Sequence, residues 1–207
     1  MLSRVSNSDR ATTYMHCMIE VKSRIAEIDV QLKNWREKTE ASQLACENTA
    51  LQLRKIYELV GFAAMTADIS QYSKVSPKFG KAWDFSKILK TISHINPEFL
   101  PKPIKLSKSK EPGVDWHFED RLDAELSQKD LTYRHGSLNR LLHARNPFSD
   151  TIDYVQWSRK LDTWVREIAL LLSHHRYHVG PYLEGYIVEL NDHDSDVRVS
   201  LYQKAEE

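Results

Sequence analysis

The chain has 207 residues, 41% of them hydrophobic, so it is long enough to bury the core of one domain. Its 29 Lys and Arg residues balance 29 Asp and Glu residues, and this neutral charge argues against a DNA-coating or membrane-surface protein. No apolar run approaches the roughly 18 residues of a membrane span. The N-terminal residues also lack a signal-peptide pattern, so we expect a cytoplasmic protein without a membrane partner.

Apolar residues at helical spacing predict three helices in the first half of the chain. The first covers about residues 8–35, and the second runs from about Gln43 to Ile69. The third starts at Ser76-Pro77 and ends at Asn96-Pro97, because proline suits a first helical turn and disfavours helix in the residue before it. The two cysteines, Cys17 and Cys46, fall inside helices without CxxC spacing, which favours buried thiols over a disulfide or a metal site.

The segment from Asn96 to about Asp120 is rich in proline and lysine and predicts a long surface connection. Its four lysines make a modest basic stretch: Lys102, Lys105, Lys108 and Lys110. Such a stretch is typical of a solvated loop, and contact with RNA phosphates is the alternative.

Two further helices are predicted after this connection, over about residues 127–146 and 151–174. The alternating residues 186–190 and 197–202 then predict a β-hairpin around the acidic run Asp192–Asp196. We therefore expect an all-α fold, a bundle of about five helices with a small C-terminal β-hairpin. Residues 1–180 would form the bundle, and residues 181–207 the hairpin attached to the same domain.

Arginine, histidine and asparagine are concentrated between Arg134 and Phe148. Arginine holds an anionic phosphate through a rigid fork of donors, and histidine transfers protons near neutral pH. The segment is therefore the strongest candidate for a functional site. On the second helix, Arg54 or Glu47 could contact this segment and set the geometry of His143; exposed positions are the alternative.

Several stretches, taken in order, resemble a widespread bacterial family of small helical proteins. They are Gln52–Val60, Phe79–Trp83, Ile88–Lys90, Ile95–Phe99 and, most specifically, the sequence Leu-Leu-His-Ala-Arg-Asn-Pro-Phe at 141–148. That family is itself similar to HEPN domains, which are helical bundles, often homodimers, and frequently metal-independent ribonucleases of defence and toxin–antitoxin systems. The resemblance implies an RNA substrate and no cofactor or metal.

The signature of HEPN domains is an arginine followed four to six residues later by a histidine. His143 matches the histidine, whereas Ser137 occupies the position where the arginine is expected. The nearest arginines are Arg140, which shares a helix face with His143 at a spacing of three, and Arg134. The resemblance thus implies that His143 transfers protons, that Arg140 or Arg134 of a second chain holds phosphate, and that Asn146 assists or ends the helix.

Two functions follow from this pattern. The first is a dimeric ribonuclease with a degenerate Arg–His motif. The second is a non-catalytic relative that binds RNA or a partner protein such as an antitoxin.

A second group of histidines, near the end of the fifth predicted helix, raises the possibility of a metal site. His174 and His178 are spaced by four, as two ligands on a helix would be, with His175 beside them. The HExxH pattern is absent, so polar residues at a helix end are the better interpretation. The run Asp192–Asp196 lacks the glycine and the terminal glutamate of a calcium loop and predicts a turn.

Overall fold

The computed structural model describes residues 7–37, 42–110, 116–144, 146–148, 150–180, 184–190 and 196–203. Within these ranges the chain forms six α-helices and five β-strands. The helices are α1 (Asn7–Glu37), α2 (Gln43–Ala67), α3 (Ile69–Val75), α4 (Phe85–Ile95), α5 (Gln128–Leu142) and α6 (Tyr154–Ser173). The strands are β1 (Lys102–Lys108), β2 (Trp116–Asp120), β3 (His174–His178), β4 (Glu184–Glu189) and β5 (Arg198–Gln203).

Polar side chains fix where the helices begin, because each accepts a hydrogen bond from an otherwise unpaired backbone N–H. Ser42 accepts from the Ala45 N–H at 3.2 Å at the start of α2. Ser127 and Asp130 form a reciprocal capping box at the start of α5. Asp84 caps α4, which therefore begins at Phe85 and not at the predicted Ser76.

The prediction of an all-α bundle with a small hairpin was wrong. The five strands form one antiparallel sheet in the order β2-β1-β3-β4-β5, so the fold is mixed α/β. The segment predicted as a surface connection supplies β1 and β2. Its strand character was hidden because exposed lysines and serines interrupt the apolar alternation of β1.

Strand β3 follows α6 directly, where the sequence predicted the polar end of a helix. Its residues alternate, with His175 and Tyr177 buried and the three between and beside them half-buried. This period of two is that of a strand whose one face packs on the helices.

The predicted C-terminal hairpin exists as β4 and β5, but it is the end of the large sheet. Strand β4 pairs with β3 through five residue pairs, from His174 opposite Glu189 to His178 opposite Gly185. The hairpin is therefore bonded across the predicted boundary at residue 180. Of the acidic run, only Asp196 lies within the described residues.

The hairpin of β1 and β2 curls over the face of the sheet that points away from the helices. Only two residue pairs join β1 to β3. The Phe118 and Tyr202 rings lie 6.0 Å apart although their strands are at opposite ends of the sheet order. Arg176 donates two hydrogen bonds to the Asp120 carboxylate, at 2.7 and 2.8 Å, which holds the curled hairpin in place.

The Tyr202 ring lies over Gly185, the residue opposite it on β4, and leaves no room there for a side chain. A Cβ atom there would lie 2.3 Å from the Tyr177 carbonyl oxygen and 2.5 Å from the Tyr202 ring. We expect Gly185→Ala to lower the free energy of unfolding by about 1 to 3 kcal/mol, as overpacking does. Urea denaturation would measure this loss. Gly80→Ala is the matched control, because a Cβ at Gly80 meets no atom within 4 Å; equal stability of both variants would contradict the packing argument.

Within the described residues, no helix combines the length and hydrophobicity that crossing a membrane requires.

Candidate functional site

The end of α5 lies beside the middle of α2. Arg54 of α2 hydrogen-bonds Asn139 of α5, and one turn further Glu58 contacts His135, so the two helices run antiparallel. The last turn of α5 therefore lies beside the middle of α2. The Cys46 thiol, 3.7 Å from the Tyr154 carbonyl oxygen, places the start of α6 beside the first turn of α2, about 12 Å away along that helix.

Arg140 and His143 are exposed at this end of the molecule. His143 is the C-cap of α5, and its backbone N–H donates to the Asn139 carbonyl oxygen at 3.2 Å. Neither side chain has an ion pair or a side-chain hydrogen bond within the described part of the chain. Both side chains are therefore accessible to a ligand. Arg140 supplies a cation and His143 an imidazole, three residues apart.

Arg134 is held on a different side of α5. Its Nη2 atom lies 2.6 Å from Glu167 Oε2 on α6, and only 11% of its side chain is exposed. Its guanidinium carbon also lies 5.6 Å from the centroid of the Trp164 ring. Arg134 thus joins α5 to α6, and this chain does not bring it together with His143.

Asn146 shapes the turn after α5. Its Oδ1 atom accepts a hydrogen bond from the Phe148 backbone N–H at 3.0 Å, an arrangement typical of an asparagine turn. Phe148 is 97% exposed beside it. Arg145, which contributes to the arginine density of the sequence motif, lies outside the described residues.

A polar network joins α2 to α5 just before the exposed pair in the sequence of α5. Glu58 accepts hydrogen bonds from Arg54 Nε at 3.1 Å and is 3.0 Å from His135 Nε2. Burial alone would raise the pKa of Glu58, but its bonds to His135 and Arg54 outweigh burial and lower it. Burial lowers the pKa of His135, against the effect of Glu58. Neutral imidazole can donate its Nε2–H to the carboxylate, so the pair needs no second charge.

This network fixes Arg54 and Asn139 at the rim of the α5 end. Arg54 is 30% exposed and donates to both Glu58 and Asn139, which immediately precedes Arg140 in the sequence. Arg54 thus contacts the fourth predicted helix, while Glu47 accepts from Gln43 within α2. His135 and Glu58 were not identified from the sequence. Their spacing of four from Asn139 and Arg54, respectively, is the signal that could have indicated them.

The histidines of β3 are divided between the two faces of the strand. No group of three His, Cys, Asp or Glu residues in the described ranges could hold a metal ion. His175 is fully buried, and the strand directs His174 and His178 to the opposite face. The two cysteines are free thiols, and burial raises the pKa of each to about 11.

Comparisons with protein-family models, with curated proteins and with solved structures give no match. The residues described above are therefore the basis for assigning a function.

Proposed function

We propose that this chain is a non-catalytic binding module for single-stranded RNA, which holds phosphate at the exposed end of α5. The observation that carries the proposal is the pair Arg140 and His143, three residues apart and exposed at the end of α5, without an intramolecular partner in the described residues. An unpaired guanidinium is the side chain best suited to grip a phosphate, and a neighbouring imidazole adds a donor.

Binding without cleavage is favoured by the position of Arg134. Ribonuclease chemistry of the kind that the resemblance implies needs an arginine to stabilise charge on the phosphate and a histidine to transfer a proton. Arg134 neutralises Glu167 within its own chain, and Ser137 replaces the expected arginine. Arg140 is therefore left to bind phosphate. Arg134, the other arginine proposed for catalysis, is paired with Glu167.

The surroundings of Arg140 and His143 suit a nucleic acid that is bound through only a few of its phosphates. The chain has no net charge, so binding must be local and not a general attraction of polyanions. Exposed Phe148 near Asn146 offers an aromatic face on which a base can stack. Single-stranded RNA supplies both the phosphate and the unstacked base.

A fluorescence anisotropy titration with a labelled, mixed-sequence single-stranded RNA tests the proposal. We expect the double variant Arg140→Gln, His143→Gln to bind roughly tenfold more weakly at low salt, because two phosphate contacts are lost. The slope of log K against log salt should fall in magnitude by about 0.7, because the Arg140 guanidinium is one cationic contact removed. Lys90→Gln, which removes an exposed charge on α4, is the control and should bind as the wild type does. No measurable binding by the wild type would refute the proposal.

Metal-independent ribonuclease activity is the second candidate. It is favoured by one observation, the accessibility of the His143 imidazole beside Arg140 at a spacing of three. Incubation of the same RNA with the protein in EDTA separates the two functions. Cleavage that disappears in His143→Ala would establish the ribonuclease and exclude a purely binding role. Ser137→Arg supplies the missing arginine and should create cleavage if only that residue is lacking.

A further inference from the structure

Among the described residues, strand β5 forms one edge of the sheet. It pairs with β4 on one side, and no strand of the described residues lies on its other side. Its six residues include no proline and one charged side chain, Arg198, so it lacks the usual features that prevent strands from adding to an edge. The outward N–H and C=O groups of such a strand can pair with another extended chain.

The two faces of β5 differ in chemistry. Val199 and Leu201 lie opposite Val188 and Tyr186 of β4, which are buried on the helix side, so they point to that side as well. Leu201 is nevertheless 59% exposed, because it stands at the uncovered margin of the sheet. Arg198, Ser200 and Tyr202 alternate with these residues and lie on the other face.

An apolar groove runs beside this edge on the helix side. It lies between α1 and the start of β5 and has a volume of about 530 Å³. Its apolar lining is Met15, Ile19, Ala26 and Val197. Ile19 is 46% exposed there, so both the groove and Leu201 leave apolar surface open to solvent next to unpaired backbone groups.

We propose that a second copy of this chain covers the edge, with the two β5 strands antiparallel about a twofold axis at Ser200. In this register Val199 lies opposite Leu201 of the second copy, so apolar side chains meet on the helix side. Arg198 lies opposite Tyr202 of the second copy on the other face. The two five-stranded sheets become one continuous sheet.

The self-complementarity of β5 is the reason for choosing a second copy over another extended partner. A twofold axis at Ser200 satisfies each contact twice, as closed dimers require. A register shifted by one residue would turn the second copy over and place its helices on the opposite face of the sheet. The exposed Leu201 would then no longer meet Val199. This dimer surface is separate from the α5 end and does not depend on RNA binding.

Disulfide trapping with Ser200→Cys tests the register. Opposed residues of antiparallel strands have Cα atoms about 4.5 to 5.5 Å apart, which suits a disulfide. We expect mild oxidation to convert most of the variant into a covalent dimer that a reducing agent dissociates. Ser107→Cys, an exposed serine on β1, is the matched control and should stay monomeric on the denaturing gel. Equal trapping of both variants, or of neither, would overturn the proposal.

Light scattering of the unmodified protein provides an independent measurement. The wild type should be a dimer at tens of micromolar, and Leu201→Lys should raise the dimer dissociation constant more than tenfold while its circular dichroism spectrum is unchanged. Leu201 is exposed in the single chain, so the substitution leaves the fold intact. A wild-type monomer at this concentration, or a Leu201→Lys dimer as tight as the wild type, would show that β5 does not join two copies.

Discussion

Acidification from pH 6.5 to pH 4 should remove about 3 kcal/mol of stability through His175 alone. The side chain is fully buried, and burial lowers its pKa from 6.5 to about 4. Its Nδ1 is 3.0 Å from the Leu172 carbonyl oxygen, which can only accept, so Nδ1 carries the proton. Because burial keeps the ring neutral, the Nε2 atom, 3.0 Å from the Tyr14 hydroxyl, accepts from it.

The sign of the effect follows from which state binds the proton. The unfolded chain takes up a proton on this histidine below about pH 6.5, whereas the folded chain resists it until about pH 4. Stability is therefore fully present above pH 6.5 and falls as the pH drops, with a slope of up to about 1.4 kcal/mol per pH unit. His135, whose pKa burial also lowers, adds a smaller loss in the same direction.

Urea denaturation at a series of pH values measures this slope. His175→Gln keeps a donor and an acceptor but cannot titrate, so its stability should fall less steeply between pH 6.5 and pH 4.5 than that of the wild type. His143→Gln, at an exposed position, is the matched control for the substitution itself. If His175→Gln retained the full wild-type slope, another group would have to be responsible for the acid sensitivity.

Replacement of Asp68 should destabilise the protein by about 2 to 4 kcal/mol, because it leaves buried donors without their acceptor. Asp68 is 1% exposed and follows α2. Its Oδ2 accepts from the Tyr177 hydroxyl of β3 at 2.7 Å and from the Asn96 amide after α4 at 2.9 Å. Burial raises the pKa of Asp68, and these two hydrogen bonds oppose the rise. One carboxylate thus connects two helix ends to the sheet.

Thermal and urea denaturation of Asp68→Ala check this expectation, with Asp150→Ala at an exposed position as the control. A double-mutant cycle locates the effect. Because Tyr177→Phe removes the hydroxyl that loses its acceptor, its cost should be smaller in the Asp68→Ala background than in the wild type. The Ala64 carbonyl oxygen, 3.3 Å from the same hydroxyl, limits this difference. Additive costs would mean that the bond between Tyr177 and Asp68 contributes nothing.

The long helices could be predicted from the sequence because their apolar residues recur at helical spacing. Ile56 and Val60 on α2, and Leu161, Val165 and Ile168 on α6, are buried as that spacing requires. Strands β1 and β3 could not be predicted in this way. Lys105 is exposed within β1, and His175 is a buried polar residue in a short strand that follows α6 without a glycine or proline. Neither shows the apolar alternation by which strands are identified.

The residues of the candidate site were predictable only in part. Arg140 and His143, which the sequence proposes as site residues, are both exposed at the end of α5, and their role stays a prediction. The partner of Arg134 could not be inferred, because Glu167 is on another helix and meets it only through tertiary packing. The pairing of His135 with Glu58, 77 positions apart, could not be inferred either, although each lies four residues from Asn139 or Arg54. Pairing between helices depends on their relative rotation, which the spacing within each helix does not determine.

The narrow junction between β1 and β3 also has a consequence for the order of folding. The hairpin β1–β2 and the meander β3–β4–β5 each form from neighbouring parts of the chain. Joining them brings Pro103 to His175, which encloses β2, α5 and α6 in one loop of 72 positions (175 − 103), for a ladder of two residue pairs. The few hydrogen bonds of so short a ladder do not offset the conformational entropy that is lost when the loop closes. We therefore expect the two halves of the sheet to meet late, after α5 and α6 have docked on α2. The two parts of this continuous sheet are thus expected to form separately and to join in a later step of folding.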